Sequence, residues 1–163
     1  AVGSAVSAMA AQNIGAGKWD RIDRIMIAGC SINVLMTAAL LAGIEQAALM
    51  AELRARMPAV ADLVYHVPNG GHRHKAVAAK LKQQGVVAGI PDLVLTMARG
   101  GYFGMYIEFK ATPPNDAAIS ASQHERIRKL NEQGYLAVVC RGHFDAMEQI
   151  RAYFRLAPTV VAA

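Results

Sequence analysis

The feature that most constrains the fold of this chain is a run of twenty residues without a charge, from Ile25 to Ile44. A helix of about 20 apolar residues is long enough to cross a membrane. Three basic residues precede the run, as they would on the cytoplasmic side of a membrane helix: Lys18, Arg21 and Arg24. Three polar residues interrupt it: Ser31, Asn33 and Thr37. A helix buried against a soluble domain is therefore the alternative, and membrane association through residues 25–44 is not favoured.

The bulk composition indicates one domain with an affinity for polyanions. A chain of 163 residues has room for one ordinary domain and an appendage. The net charge of +5 favours partners such as nucleic acid. The two cysteines, Cys30 and Cys140, belong to no CxxC or Cys/His cluster, so the sequence predicts neither a zinc site nor a disulfide scaffold. We therefore expect a reducing, cytoplasmic location.

Residues 45–156 have the pattern of a compact α/β domain, which follows an apolar helical segment at residues 1–44. The predicted helices cover 45–56, 72–84, 120–133 and 144–155, and the predicted strands cover 63–67, 92–97, 104–110 and 135–140. A hairpin turn is predicted at Arg99-Gly100-Gly101, and Ser120 with Gln123 has the spacing of a helix capping box. The tail at residues 157–163 is predicted to be disordered.

Two charged residues stand inside an otherwise apolar predicted strand. Side chains two residues apart share one face of a strand, so Glu108 and Lys110 project together while Phe109 points away. An isolated pair of this kind is more typical of an edge strand with its polar face in water. A dry core would make the pair costly.

Asp92 turns this pair into a candidate metal site. It follows Pro91 at the start of the partner strand, and the predicted hairpin brings it back beside Glu108. Two carboxylates held close together repel each other unless a cation lies between them. Such hard oxygen ligands suit Mg²⁺ or Mn²⁺. A lysine beside the ion could stabilise charge developing on a phosphate.

Helical periodicity turns two further polar residues toward the same region. Glu45 shares a helix face with Leu49 and Leu53, and Gln123 shares one with Ile127 and Leu130. Inward polar side chains need polar partners, which a hydrated metal site would supply. Each residue also has a structural alternative. Glu45 would be a favourable charge near a helix N-terminus, and Gln123 would be the capping-box partner of Ser120.

A basic helix after a glycine-rich turn is the candidate DNA-binding surface. We assign nucleic-acid binding to these residues: Asn69, Gly70, Gly71, His72, Arg73, His74, Lys75, Lys80 and Lys82. Basic side chains on one helix would contact phosphates and provide affinity with little sequence preference. The alternative is an ordinary solvated helix face. A second and weaker basic patch consists of Arg126, Arg128 and Lys129.

Several motifs occur in an order and spacing that resemble the VRR-NUC family of the PD-(D/E)xK nuclease superfamily, over about residues 45–154. The motifs are Pro68-Asn69-Gly70-Gly71, Gly85, Gly89-Ile90-Pro91-Asp92, Ile107-Glu108-Phe109-Lys110, Ser122-Gln123 and Gly134-Tyr135. The resemblance implies a restriction-endonuclease-like α/β core, with a central mixed sheet flanked by helices. It also implies a Mg²⁺- or Mn²⁺-dependent endonuclease that acts on branched or structured DNA as a homodimer.

The resemblance also implies a role for each candidate site residue. Asp92 and Glu108 would be metal ligands, together with the backbone carbonyl of Phe109. Lys110 would be the catalytic lysine, and Gln123 would support it. Glu45 would be the acidic residue of the first helix, close to the metal and able to reach it through a water molecule.

The first quarter of the chain departs from this family. Residues 1–43, and most clearly the stretch from Ala5 to Lys18, resemble a fragment of a MATE-type multidrug transporter. Such transporters have about a dozen membrane helices, and this chain could supply two at most. Two alternatives to a nuclease therefore stay open at this point: a nucleic-acid-binding module without catalytic activity, and a membrane-associated transporter fragment.

Overall fold

The computed structural model describes residues 2–68 and 80–160. Its helices are α1 (Val2–Gly15), α2 (Trp19–Arg56), α3 (Pro58–Ala61), α4 (Ala121–Glu132) and α5 (Gly142–Arg155). Its strands are β1 (Val64–His66), β2 (Leu93–Leu95), β3 (Met105–Lys110) and β4 (Leu136–Arg141). Of the helix predicted over 72–84, residues 80–83 are helical and residues 72–79 lie outside the described residues.

The four strands form one mixed sheet in the order β1-β2-β3-β4. The first three strands pair antiparallel, and β3 pairs with β4 in parallel. A tight turn joins β2 to β3 as predicted, since Tyr102 N–H donates to Arg99 O and both Gly100 and Gly101 have positive φ. With helices on both sides, the architecture confirms the predicted α/β fold.

The hydrophobic core lies where α2 and α5 pack against each other and against β3. The two helices supply buried residues three or four positions apart, which is the spacing of one helix face. The strands supply every second residue, as the alternation of a pleated strand requires. The principal core residues are Leu49, Leu53, Leu93, Leu95, Met105, Ile107, Phe109, Ala146, Ile150 and Tyr153.

The first helix of the α/β domain begins far earlier than predicted. The sequence predicts a helix from Glu45, whereas α2 runs without a break from Trp19 to Arg56 and crosses the predicted boundary at residues 44 and 45. No proline interrupts the stretch before residue 56, and the uncharged run is itself compatible with a helix. The helix ends at Arg56 as predicted, and Pro58 begins the short helix α3.

The N-terminal half of α2 forms a helical hairpin with α1. Gly29 allows a close approach, because a Cβ atom at this position would lie 2.5 Å from Val6 Cγ2. By length and composition alone, α2 could cross a membrane. Many large apolar side chains of the hairpin are exposed: Met9, Ile14, Trp19, Met26, Ile27, Ile32, Val34, Leu35, Met36, Leu40 and Ile44.

The start of the C-terminal tail is attached to the domain, in contrast to the predicted disorder of residues 157–163. Gly100 N–H donates to Ala157 O, and Thr159 N–H donates to Ala98 O. The hairpin turn between β2 and β3 leaves backbone groups exposed, and the tail satisfies some of them. Residues 161–163 lie outside the described part of the chain.

Candidate active site

The candidate catalytic residues line a pocket of about 450 Å³. Polar side chains from α2, the end of β1, the residue before β2, β3 and α4 meet there: Gln46, His66, Asp92, Glu108, Lys110 and Gln123. Part of the pocket wall comes from small and apolar residues of α2: Leu35, Ala38, Ala39, Ala42 and Gly43. One pocket therefore contains four of the five predicted catalytic residues, and Glu45 is not among its lining residues.

The β2–β3 pairing places the two predicted carboxylate ligands next to each other. Leu93 pairs with Ile107, so the register continued by one residue sets Asp92 opposite Glu108. Asp92 Oδ2 accepts a hydrogen bond of 2.9 Å from the Phe109 N–H, which fixes the carboxylate against β3. Gly89 lets the loop before Asp92 approach α4, because a Cβ atom there would lie 2.4 Å from Ser122 O.

Glu108 is a buried carboxylate with one oxygen paired and one unpaired. Only 2% of the residue is exposed. Its Oε1 lies 2.9 Å from Lys110 Nζ and accepts a hydrogen bond from Gln123 Nε2. Its Oε2 has no hydrogen-bond partner within residues 2–68 and 80–160. Burial and the charge of Asp92 raise the pKa of Glu108 from 4.5 to about 7, although Lys110 opposes the change.

Lys110 and Gln123 hold each other as well as Glu108. The side chain of Lys110 is 11% exposed, and its Nζ lies 3.4 Å from Gln123 Oε1. Gln123 Oε1 also accepts a hydrogen bond from the Ser120 N–H, and Ser120 Oγ accepts one from the Gln123 N–H. The predicted capping box is therefore present, and the same glutamine reaches the pocket. The capping-box interpretation of Gln123 is confirmed, and its supporting role in catalysis stays a prediction.

Glu45 lies one residue away from the position that faces the pocket. Its Oε2 accepts hydrogen bonds of 3.0 Å from both the N–H and the Oγ1 of Thr112, two residues beyond Lys110. Gly142 makes room for this contact, because a Cβ atom there would lie 2.1 Å from Thr112 Oγ1. In this structure Glu45 ties α2 to the end of β3.

Two polar residues of the pocket were missed by the sequence analysis. Gln46 lines the pocket in place of Glu45, and a helical period of 3.6 residues does not distinguish adjacent positions reliably. His66 ends β1, and its Nδ1 lies 3.0 Å from both Gln46 Nε2 and Asp92 O. The sign that could have identified His66 is its place at the end of a strand that pairs with the start of β2. That inference requires the order of strands in the sheet.

The donor set of this pocket fits a hard divalent cation. Within the described ranges, no group of three or more His, Cys, Asp or Glu side chains could hold a metal ion. Asp92, Glu108 and the Phe109 carbonyl offer oxygen atoms only, which are the ligands that Mg²⁺ and Mn²⁺ prefer. The unpaired Glu108 Oε2 is the observation that favours a cation, because buried polar atoms normally have a partner.

The predicted DNA-binding surface is only partly described. Lys80 and Lys82 are exposed at the end of their helix, whereas the predicted positions from Asn69 to Lys75 lie outside the described residues. The second basic patch is largely neutralised. Arg128 pairs with Glu125 and Glu132, and Lys129 Nζ lies 3.2 Å from Glu125 Oε1. The second patch is therefore a poor phosphate-binding surface.

The chain is similar to known VRR-NUC domains in sequence and in structure. The sequence profile of the VRR-NUC domain matches residues 42–144. A solved structure described as a VRR_NUC domain protein shares 30% sequence identity and a TM-score of 0.62, over 72% of this chain and 91% of that chain. No curated protein matches the chain.

The profile match begins at residue 42, and nothing found supports the resemblance of residues 1–43 to a transporter. The resemblance seen in the motifs of residues 45–154 is confirmed by both matches. The profile covers more than half of the chain, and the pocket lies within the matched region apart from its α2 residues before position 42. The chain therefore belongs to the VRR-NUC domain family, a family of nuclease domains whose substrate is DNA.

Proposed function

We propose that this chain is a metal-dependent endonuclease that hydrolyses DNA phosphodiester bonds at the pocket of Asp92, Glu108 and Lys110. The observation that carries the proposal is the state of Glu108. Its carboxylate is buried, one oxygen is paired with Lys110 and Gln123, and the other has no partner among the described residues, although a second carboxylate lies beside it. A buried carboxylate with a free oxygen is costly unless a cation or a proton occupies it.

Asp92, Glu108 and the Phe109 carbonyl would hold Mg²⁺ or Mn²⁺. An ion bound there would polarise the phosphate and lower the pKa of a bound water. The remaining side chains act on the substrate directly. Lys110 supplies a positive charge to the phosphate as negative charge builds up on it, and its position is fixed before the reaction by Glu108 and Gln123.

The position of Lys110 is an important part of this mechanism. A lysine held between two side chains loses little conformational entropy when the substrate arrives. Gln123 keeps its amide oxygen toward Lys110 because the capping box fixes its side chain. The apolar wall from α2 restricts water on the opposite side of the pocket, which strengthens each electrostatic contact inside it.

We extend the proposal to branched or structured DNA as the substrate, to a homodimer as the active form and to a cytoplasmic location. Family membership supports the first two points. The third is consistent with two free cysteines, of which Cys140 is buried. Lys80 and Lys82, with the basic residues predicted before them, are proposed to bind the DNA phosphates.

The test is a cleavage assay on duplex, flapped and four-way DNA, with Mg²⁺ or Mn²⁺ and with chelator. We expect cleavage that requires the metal and that Asp92→Ala and Lys110→Ala each reduce by roughly a hundredfold or more. Asp62→Asn is the matched control, since Asp62 is exposed and does not line the pocket. Metal-independent cleavage, or cleavage unchanged in both pocket variants, would reject this site. DNA binding without cleavage by the unmodified chain would leave only a binding module.

A further inference from the structure

His66 is the pocket residue whose polar atoms the proposed reaction does not yet use. It lies at the end of β1, is exposed, and lines the same pocket as Asp92 and Lys110. Its Nδ1 lies 3.0 Å from Gln46 Nε2 and 3.0 Å from Asp92 O. The imidazole ring is therefore held by α2 on one side and by the start of β2 on the other.

The two contacts of Nδ1 need opposite roles from this nitrogen. The Gln46 amide nitrogen can only donate to Nδ1, and Asp92 O can only accept from it. Asp92 O also accepts a hydrogen bond of 2.8 Å from the Val67 N–H, so it keeps a partner when Nδ1 accepts from Gln46. In that tautomer the ring carries its hydrogen on Nε2, which makes Nε2 a hydrogen-bond donor. In either tautomer Nδ1 is occupied, and Nε2 is the ring nitrogen left for another partner.

The other side-chain nitrogen atoms of the pocket are already in use. Lys110 and Gln123 both bind Glu108, and the Gln46 amide binds His66. Among the described residues that line the pocket, His66 Nε2 is thus the side-chain nitrogen without a partner. An exposed donor in a pocket proposed to hold a divalent cation suits an anionic acceptor, and in a nuclease that acceptor is a phosphate oxygen of the DNA strand.

We infer that His66 binds the DNA backbone, with Nε2–H donating to a non-bridging phosphate oxygen in the pocket. Gln46 is its positioning residue, since it holds the ring through Nδ1. This inference rests on the proposed nuclease function and names the groups that place the strand in that site. It assigns to the ring the tautomer in which Nδ1 accepts from Gln46 and Nε2 carries the hydrogen, so it does not require a charged imidazole.

Two amide substitutions separate the two nitrogen atoms of the ring. The amide of asparagine reaches the place of Nδ1, whereas the longer glutamine reaches the place of Nε2. If Nε2 contacts the DNA, His66→Asn weakens binding about tenfold or more, the effect of losing one hydrogen bond to a charged group. His66→Gln then binds within about threefold of the unmodified chain, which is under 1 kcal/mol. Tyr65→Phe is the matched control from the same strand.

Binding is measured with Ca²⁺ to occupy the acidic site, on a set of oligonucleotides that each carry one uncharged methylphosphonate linkage. At one position we expect the methylphosphonate to weaken DNA binding by the unmodified chain and by His66→Gln. It should not weaken binding by His66→Asn further, because the asparagine variant has already lost that contact. Thermal unfolding of each variant is measured in parallel. The inference requires that His66→Asn keeps its unfolding temperature within a few degrees.

Three results would overturn the inference. Binding retained by His66→Asn but lost by His66→Gln would mean that the ring only supports the loop at Asp92. An equal loss of DNA binding in both variants, together with a lowered unfolding temperature, would also mean that the ring has only a structural role. A methylphosphonate that weakens binding equally in all variants would show that His66 does not contact a phosphate. The proposed function is judged separately, since it fails if the unmodified chain does not cleave DNA with Mg²⁺ or Mn²⁺, whatever the His66 variants show.

Discussion

Opposing contacts determine the protonation of Glu108. Burial and the charge of Asp92 favour the protonated carboxyl, and Lys110 favours the carboxylate. The balance gives a pKa of about 7, well above the ordinary 4.5. The buried negative charge of Glu108 destabilises the metal-free protein unless a cation or a substrate compensates it. Groups with such shifted pKa values are common in active sites.

The stability of the metal-free protein should therefore fall as the pH rises from about 4.5 to about 7. The folded chain keeps a proton on Glu108 in this interval that the unfolded chain has lost, so the contribution of Glu108 is complete below this window and lost above it. A rise in the pKa of Glu108 from 4.5 to about 7 corresponds to about 3 kcal/mol of unfolding free energy. Urea unfolding in chelator at several pH values measures the slope, and Glu108→Gln should remove most of it. If the unfolding free energy of Glu108→Gln kept the same dependence on pH, the raised pKa of Glu108 would be contradicted.

The sequence was sufficient to predict the pairing of Asp92 with Glu108. A turn of known position fixes the register of two antiparallel strands, so the residues opposite each other follow by counting. Gln46 could not be found in this way, because a helix face has no sharp edge and Glu45 was an equally good candidate. His66 depends on the order of the strands, which is a property of the whole sheet.

At the scale of the elements, the loop before Asp92 and the N-terminus of α4 are in direct contact. Gly89 has a φ of +78° and lies against the backbone of Ser122. The same helix begins with the capping box that fixes Gln123. The loop that carries Asp92, the proposed metal ligand, therefore packs directly against the helix end that positions Gln123.

Gly85 and Gly89 have similar positive φ angles but different surroundings, so substituting each by alanine distinguishes backbone strain from steric conflict. Gly85 has a φ of +90°, and a Cβ atom added to it would meet no atom within 4 Å, so Gly85→Ala should cost only about 1 kcal/mol. Gly89→Ala adds a collision with Ser122 O and should cost roughly 3 kcal/mol or more. It should also reduce cleavage, since it moves Asp92 away from α4. Chemical unfolding and the cleavage assay test this, and equal effects of the two substitutions would refute it.

The element boundaries that were predicted poorly share a physical cause. The start of α2 was placed at Glu45 because the polar pattern begins there, but an uncharged stretch without proline continues a helix equally well. The tail from Ala157 to Val160 carries no periodic signal, and its hydrogen bonds to the β2–β3 turn depend on a distant part of the chain. In contrast, α4 was predicted well, since its capping box is local.

At the scale of the whole molecule, α2 belongs both to the hairpin and to the pocket. Five α2 residues line the candidate pocket: Leu35, Ala38, Ala39, Ala42 and Gly43. A membrane crossing that used residues 25–44 would place the same residues in hydrocarbon, beside a pocket proposed to admit charged phosphate. The proposed nuclease function therefore requires an aqueous location for the second half of the uncharged run, although the length and composition of α2 alone would allow a membrane crossing.

The contact between Glu45 and Thr112 attaches this helix to the end of β3. Glu45→Gln and Thr112→Val should each lower the free energy of unfolding by about 1–2 kcal/mol, because each weakens a hydrogen bond to a buried or charged group. The effects should not add in the double variant, since both remove the same contact. Urea unfolding of the four proteins without metal is the measurement. Additive losses would contradict a shared contact between Glu45 and Thr112.

The continuity of α2 also fixes a distance. At a rise of about 1.5 Å per residue, its 38 residues extend for about 57 Å, and Trp19 lies roughly 40 Å along the axis from Gln46. The N-terminal end of α2 is consequently held away from the pocket by a distance that the number of helical residues sets, since no flexible linker lies between them. Adding a single residue ahead of Ile25 would rotate the helix end before it by about 100° relative to the pocket, so the helix fixes an orientation as well as a distance.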